Sequence, residues 1–364
     1  MLTWGFVDSA AAADLSFFNA YHPYADHLTF MTQLVSAYPT HAETFTVGTS
    51  VQGRVITGIH IYGSGGKGTK PAIIFHGTVH AREWITTMVT QYFSYLLLSS
   101  YATDTAIKAF VDKYDFYIIP VVNPDGECRY TQILGGWNVL ANCSCCVGFV
   151  YSQTTQRLWR KNRQTDSSSS CVGRDINRNW AWKWDLPGGA STDPCSETFR
   201  GIPYPPNKNL YPHINPNLPG RAAGDTPEFQ SLSTFQNRLA GTTPGVKLYI
   251  DWHSYSQVFM TPYGYTCATL PTNNAELQTL AKGDVAAVKA NSGMKYTAGG
   301  ICNTLYAVTG GSVDYTYDVS KVKYSFTTEL RDTGTYGFVL PASQILPTAR
   351  ENWEGVRFLL NNMK

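Results

Sequence analysis

Residues 70 to 84, KPAIIFHGTVHAREW, run from a short apolar stretch into a cluster of polar side chains, and the reading of that junction decides the fold. PAIIF has the length and composition of a buried strand ending in polar and turn residues. From Trp84 onward the pattern changes. Trp84, Ile85, Met88, Val89, Tyr92, Phe93, Leu96 and Leu97 follow the i, i+4, i+8 rows of an amphipathic helix. The same kind of apolar run recurs in YDFYIIPVVNPDG (114–126), VKLYIDWHS (246–254) and KYSFTTELRD (323–332), and helical patterns recur over 275–290 and 349–360. Strands alternating with helices predict an α/β fold, its sheet covered on both faces. In such sheets ligands gather beyond the carboxyl ends of the strands, which is where His80, Asn123, His253 and Glu329 fall.

The chain has 364 residues, 43% of them hydrophobic, enough for one large domain or two small ones. It has no internal repeat, and the serine run 167–170 is too short to act as a linker, so a single domain is expected. A formal net charge of +2, with only 15% charged residues, gives no sign of a nucleic-acid partner or an anionic membrane. No apolar stretch approaches the roughly 18 to 20 residues that span a bilayer, so the sequence reads as soluble, without a membrane partner. The first eighteen residues lack a basic leader followed by an apolar core. Eight cysteines and an NCS sequon at Asn142 nevertheless point to a secreted protein whose stated start omits upstream sequence.

Two stretches, 131–155 and 202–220, have no sustained periodicity and read as loops.

His80 and Glu83 are three residues apart at one strand end, and His253 stands at another. Zinc takes neutral imidazole and carboxylate in a tetrahedral shell, and a catalytic site leaves one position open. His80 on a turn and Glu83 in the first helical turn can converge on one ion, with His253 as third ligand. RLWRKNR (157–163) and RDINRNW (174–180) place arginines beside Trp159 and Asn177. Such runs are usually solvated patches, yet arginine is the side chain that grips a carboxylate with two parallel hydrogen bonds. Glu329, at the end of a strand of Phe and Thr, is placed to act as a general base, though it also suits an ion pair with a neighbouring arginine.

With these motifs in view the chain resembles the metallocarboxypeptidases of the carboxypeptidase A type. HAREW, RLWRKNR, DINRNW, DWHSYSQ, PYGY, LYAVTGGSVDYTY and TTELRDTGTYGF stand in that family's order over roughly residues 21 to 362. The resemblance implies one compact α/β domain, a mixed, twisted, eight-stranded sheet between helices, over residues 21–364. Residues 1–20 would be a possible remnant of a propeptide. It implies one zinc ion per chain, held by His80, Glu83 and His253. Glu329 would be the base that takes a proton from the attacking water, and Arg160 the cation that polarises the scissile carbonyl and steadies the oxyanion. Asn177, Arg178 and Tyr306 resemble the clamp on a substrate's terminal carboxylate, with Arg82, Arg157, Tyr255 and Phe338 as further substrate contacts. Asp175 is similar to the acid that orients a histidine ligand. Cys171 with Cys195, and Cys267 with Cys302, match bridges of the family. Cys128, Cys143, Cys145 and Cys146 allow three pairings, which stay open. Trp84, Trp180 and Trp252 read as core, and Asp314 as structural.

By the same resemblance the pocket for the terminal side chain is walled by Met260, Gly264, Ile301, Leu305, Val308, Val313 and Thr327. Family members that remove Lys or Arg carry an acidic residue where this chain has Val313. The expectation is a secreted, monomeric zinc exopeptidase acting on peptide or protein C-termini, with preference for apolar or aromatic residues. The alternatives are a preference for basic termini, or an inactive peptide-binding homologue; the latter would lack a ligand or the base, and all four are present. The chain departs from the family in being longer between NPDG and RLWRKNR and between CSETFRG and GDTPEFQ, which surface insertions or translated introns would each explain.

Overall fold

The computed structural model describes residues 14–125, 148–166, 169–202 and 222–364. These residues form one mixed sheet of eight strands: β1 (Ala42–Thr49), β2 (Val55–Ile61), β3 (Ala72–Gly77), β4 (Asp115–Ile119), β5 (Val246–Ser254), β6 (Val258–Thr261), β7 (Thr297–Gly300) and β8 (Tyr324–Leu330). The order is β1-β2-β4-β3-β5-β8-β6-β7. β4, β3, β5 and β8 run parallel in the middle, and β2 and β6 flank them antiparallel. The helices are α1 (Tyr24–Ala37), α2 (Trp84–Ser99), α3 (Thr105–Lys113), α4 (Phe149–Thr154), α5 (Pro227–Ala240), α6 (Asn274–Ser292), α7 (Ile301–Thr304), α8 (Ser312–Asp318) and α9 (Ile345–Asn362). This is the single α/β domain expected from the sequence.

Because side chains alternate along a strand, each central strand feeds two cores. Ile73 and Phe75 of β3, with Leu248, Ile250 and Trp252 of β5, point to one face and pack with α1, α2, α3, α6 and α9. Ile74 and Tyr249 point to the other face, among residues of α5 and α8. The same period carries His76, Asp251, His253, Thr327 and Glu329 onto that second face at the carboxyl end of the sheet. A run that is apolar on both faces thus turns polar on one face where the site lies.

Residues 149–154, inside a stretch expected to be loop, form α4 instead. Phe149 is buried there against Tyr24 and Trp84. Six residues span too few turns for a helical period to show in sequence. Just before it, Gly148 has φ of 124°, and a Cβ there would stand 2.5 Å from the Asp125 carbonyl oxygen. The amides of Phe149 and Val150 donate to the carbonyls of Asn123 and Asp125. The rest of the expected loops, 131–147 and 203–220, lies outside the described residues, as do Asn142, Cys128, Cys143, Cys145 and Cys146. Disulfides join Cys171 to Cys195 and Cys267 to Cys302.

Trp180 and Trp252 are buried as expected, but Trp84 is only half-buried. Its ring carries the Arg157 guanidinium 3.7 Å above it, and its indole N–H donates to Ser152. A polar partner on each side explains why it stays near the surface.

Candidate active site

The helix that follows β3 begins without an ordinary side-chain cap. Glu83 occupies the N-cap of α2, one residue before the helix proper, yet its carboxylate makes no capping bond. Instead Oε1 lies 2.8 Å from His80 Nδ1 and Oε2 2.9 Å from His253 Nδ1. The two Nδ1 atoms are 3.1 Å apart. All three side chains are buried, and their ligand atoms lie within 4.8 Å of one another. The carboxylate still sits at a helix N-terminus, where negative charge is favoured.

The other nitrogen of each ring faces an acid: His80 Nε2 is 3.0 Å from Asp175 and His253 Nε2 is 2.9 Å from Asp251. Protons held on Nε2 leave two Nδ1 lone pairs and a carboxylate aimed at one point, an arrangement that only positive charge relieves. Burial opposes charge on His253, but Asp251 and Glu83 outweigh it and hold its pKa well above the ordinary histidine range. Protons and a divalent cation compete for such atoms, and the donor set of two imidazoles and one carboxylate fits zinc.

Arg160 donates from Nε and Nη2 to Asp175 at 2.9 and 2.8 Å. Asp175 therefore bridges a cation and a histidine, and against the effect of burial Arg160 and His80 keep its carboxyl well below the usual range. Glu329 stands on β8 directly beside His253 in register. Burial, and next the charge of Glu83, push it up to about 8, with His253 and Arg160 pulling the other way. A cation among the histidines would lower it.

Asp175 also caps the short turn Ile176–Arg178, accepting from the Asn177 amide. That turn aims Asn177 and Arg178 into the cavity. Arg178 donates to the carbonyls of Gly189 and Asn177 and to the Tyr306 hydroxyl. None of these partners is a carboxylate, so its charge is available to an anion. Tyr306 is about half exposed, at the rim.

His80, Arg160, Asn177, Arg178, His253, Tyr306 and Glu329 line one cavity with all seven expected wall residues: Met260, Gly264, Ile301, Leu305, Val308, Val313 and Thr327. Asp314 lines it as well, but its oxygens accept the backbone N–H groups of Gly264 and Tyr265. Four expected contacts lie outside this cavity lining. Arg82 pairs with Glu197 and stacks on Phe338, and the ring of Phe338 packs on Tyr255. Arg157 donates to the carbonyls of Arg82 and Phe338. RLWRKNR is no solvated patch: Lys161 and Asn162 are buried. Sequence reading missed Asp251, although its place two residues before His253 puts both on one strand face. It also missed Glu197, which nothing in the sequence ties to Arg82.

A family model described as zinc carboxypeptidase matches residues 27–355. Metallocarboxypeptidase A of Trichophyton rubrum is 43% identical over 349 residues, which are 96% of this chain and 72% of that protein. Carboxypeptidase A2 of Rattus norvegicus is 36% identical over 347 residues, 95% of this chain and 71% of that protein. Among solved structures, thrombin activatable fibrinolysis inhibitor superposes with a TM-score of 0.80 at 29% identity, covering 96% of this chain and 76% of that one. Carboxypeptidase A from Helicoverpa armigera does so with a TM-score of 0.75 at 26% identity, covering 95% and 74%. Similarity of this breadth, in sequence and in fold, means that the chain belongs to the zinc carboxypeptidases, metal-dependent hydrolases of peptides.

Proposed function

We propose that this carboxypeptidase is secreted, acts as a monomer without membrane or nucleic acid, and removes apolar or aromatic residues from peptide C-termini. The two disulfides support an oxidising, extracellular setting. Residues 21–364 are the catalytic domain in this reading, and Phe18, just before it, packs against Phe30 and Tyr92.

His80, Glu83 and His253 hold one zinc ion. When bound, zinc supplies a Lewis acid that polarises a carbonyl and makes water acidic near neutral pH. Glu329 accepts the proton of the attacking water and passes it to the leaving amine. Arg160, held by Asp175, steadies the charge that develops on the carbonyl oxygen. Arg178, Asn177 and Tyr306 grip the terminal carboxylate, which confines cleavage to the last bond. Arg82, Arg157, Tyr255 and Phe338 contact residues further along the peptide.

The observation that carries the preference is the wall around Val313. The seven wall residues are apolar or uncharged, and of the two acids in the cavity Glu329 stands beside His253 while Asp314 spends both oxygens on backbone N–H groups. A Lys or Arg side chain would enter without a counter-ion, at a cost of several kcal/mol. A panel of blocked dipeptides differing only in the last residue tests the reading. Phe, Tyr, Leu and Met termini should give the highest kcat/KM; faster cleavage of Arg than of Phe or Leu would overturn it.

A further inference from the structure

On the face of the sheet that carries the site, a run of buried polar side chains has no part in the chemistry above. Asp251 stands two residues before His253 on β5, so both project from one face. His76 on β3 is its cross-strand neighbour. Asp251 Oδ2 lies 2.9 Å from His253 Nε2 and accepts a hydrogen bond from the Ser312 hydroxyl. Oδ1 is 3.3 Å from His76 Nδ1, and His76 Nε2 is 2.6 Å from the Tyr249 hydroxyl. His76, Tyr249, Asp251 and Ser312 are buried.

We propose that Asp251 is a positioning residue for His253, holding the proton on Nε2 so that the Nδ1 lone pair faces Glu83 and His80. The inference rests on the zinc reading of those three residues. An imidazole that binds metal through Nδ1 carries its proton on Nε2, and in a buried site that proton needs an acceptor. Two side chains reach Nε2. The Asn177 amide nitrogen is 3.0 Å away, but Asn177 Oδ1 is fixed by the backbone N–H of Ser312 at 2.8 Å. Asn177 therefore turns N–H groups toward the ring and offers no acceptor. Asp251 does.

The carboxylate is itself held by the Ser312 hydroxyl, and His76 lies beside its Oδ1 at ion-pair distance without a hydrogen bond. A Tyr249 hydroxyl that donates to His76 Nε2 leaves the His76 proton on Nδ1, facing Asp251. Ser312 is the first residue of α8, and the next, Val313, is in the pocket wall. One carboxylate thus links a metal ligand, the neighbouring strand and the helix that shapes the pocket. His80 has its counterpart in Asp175, so each histidine has its own acid.

The test compares full-length Asp251→Ala and Asp251→Asn with the unmodified enzyme. Zinc affinity is measured by competition with a chromophoric chelator, the visible spectrum after cobalt substitution, and kcat and KM at saturating zinc. Asp251→Ala should weaken zinc binding by roughly 10- to 100-fold, as loss of such partners does elsewhere. It should also shift the cobalt spectrum, and lower kcat while leaving KM within about twofold, since positioning acts on the reacting atoms. Asp251→Asn keeps an oxygen acceptor in place and should recover part of each loss; equal losses in both variants would overturn the acceptor role. Unchanged affinity and spectrum in both would overturn the proposal while leaving the zinc reading intact. An unmodified enzyme that binds no zinc would overturn both. Failure of both variants to fold would make Asp251 a residue of the core and overturn the positioning role as well.

Discussion

Gly310 sits against the carbonyl of Arg178 so closely that a Cβ at Gly310 would stand 2.4 Å from that oxygen. The glycine has φ of 64°, and its own carbonyl accepts the amide of Trp180. Gly310→Ala must therefore strain the left-handed turn and push the backbone that carries Arg178. A loss of about 1 to 3 kcal/mol in stability is expected, with KM for peptide substrates rising more than kcat falls. Steady-state kinetics check this; an unchanged KM would separate Gly310 from the placement of Arg178.

The buried ligands should hold about one zinc per chain. Chelation should abolish peptide hydrolysis and added zinc restore it. Glu329→Gln keeps the shape but removes the proton acceptor, so kcat should fall at least ~100-fold, the lower end of general-base contributions. Metal analysis of that variant should still find zinc. Near-normal turnover would move the base elsewhere.

Val313 is buried in the pocket wall. Val313→Asp places a carboxylate where a guanidinium or ammonium would enter, and a desolvated charge gains or loses several kcal/mol by pairing. The ratio of kcat/KM for Arg over Phe termini should rise by roughly 100-fold, equivalent to about 2.7 kcal/mol. A ratio that stays level would mean that another surface selects the residue.

Glu228, on α5, gives stability a pH dependence away from the site. It is buried, and burial first, then the charge of Asp125, raise its pKa from 4.5 to about 7. The N–H groups of Val51 and Asn162 bond it but do not offset this. Below pH 4.5 folded and unfolded chains both hold the proton. Between there and 7 only the folded chain does, so stability falls as pH rises, by about 3 kcal/mol at most. Glu228→Gln should flatten that part of the slope in urea unfolding between pH 5 and 8. An identical slope would assign the dependence to other groups.

How much was legible in the sequence follows from length and period. The passage from β3 into α2 was plain because an apolar run and a sixteen-residue helical row leave little ambiguity. The four-residue strands β6 and β7 are too short to show alternation, and β1, at the edge of the sheet, carries polar residues exposed to water. For the site, motif order pointed to His80, Glu83, His253, Glu329 and the seven wall residues, and the fold brings these side chains together. It could not name Asp251 or His76, because what they touch depends on β3 lying beside β5, and strand order is a long-range fact. The half-buried position of Trp84 likewise depends on Arg157 and Ser152, far away in the chain.

The meeting of Asp125 and Gly148 has a consequence for how this scaffold can change. Residues 125 and 148 meet at one place, where the amides of Phe149 and Val150 donate to the carbonyls of Asn123 and Asp125. Closing a loop costs entropy that grows only with the logarithm of its length, about 0.6 kcal/mol for each doubling. Added sequence between two ends held together in this way therefore costs little in closure while both ends stay where they are. Asn123, which also bonds the carbonyls of Val79 beside His80 and of Lys161 beside Arg160, shields the catalytic frame from such events. Descent or design can thus graft a new recognition segment at this doorway, and the hydrolytic machinery behind it need not be rebuilt.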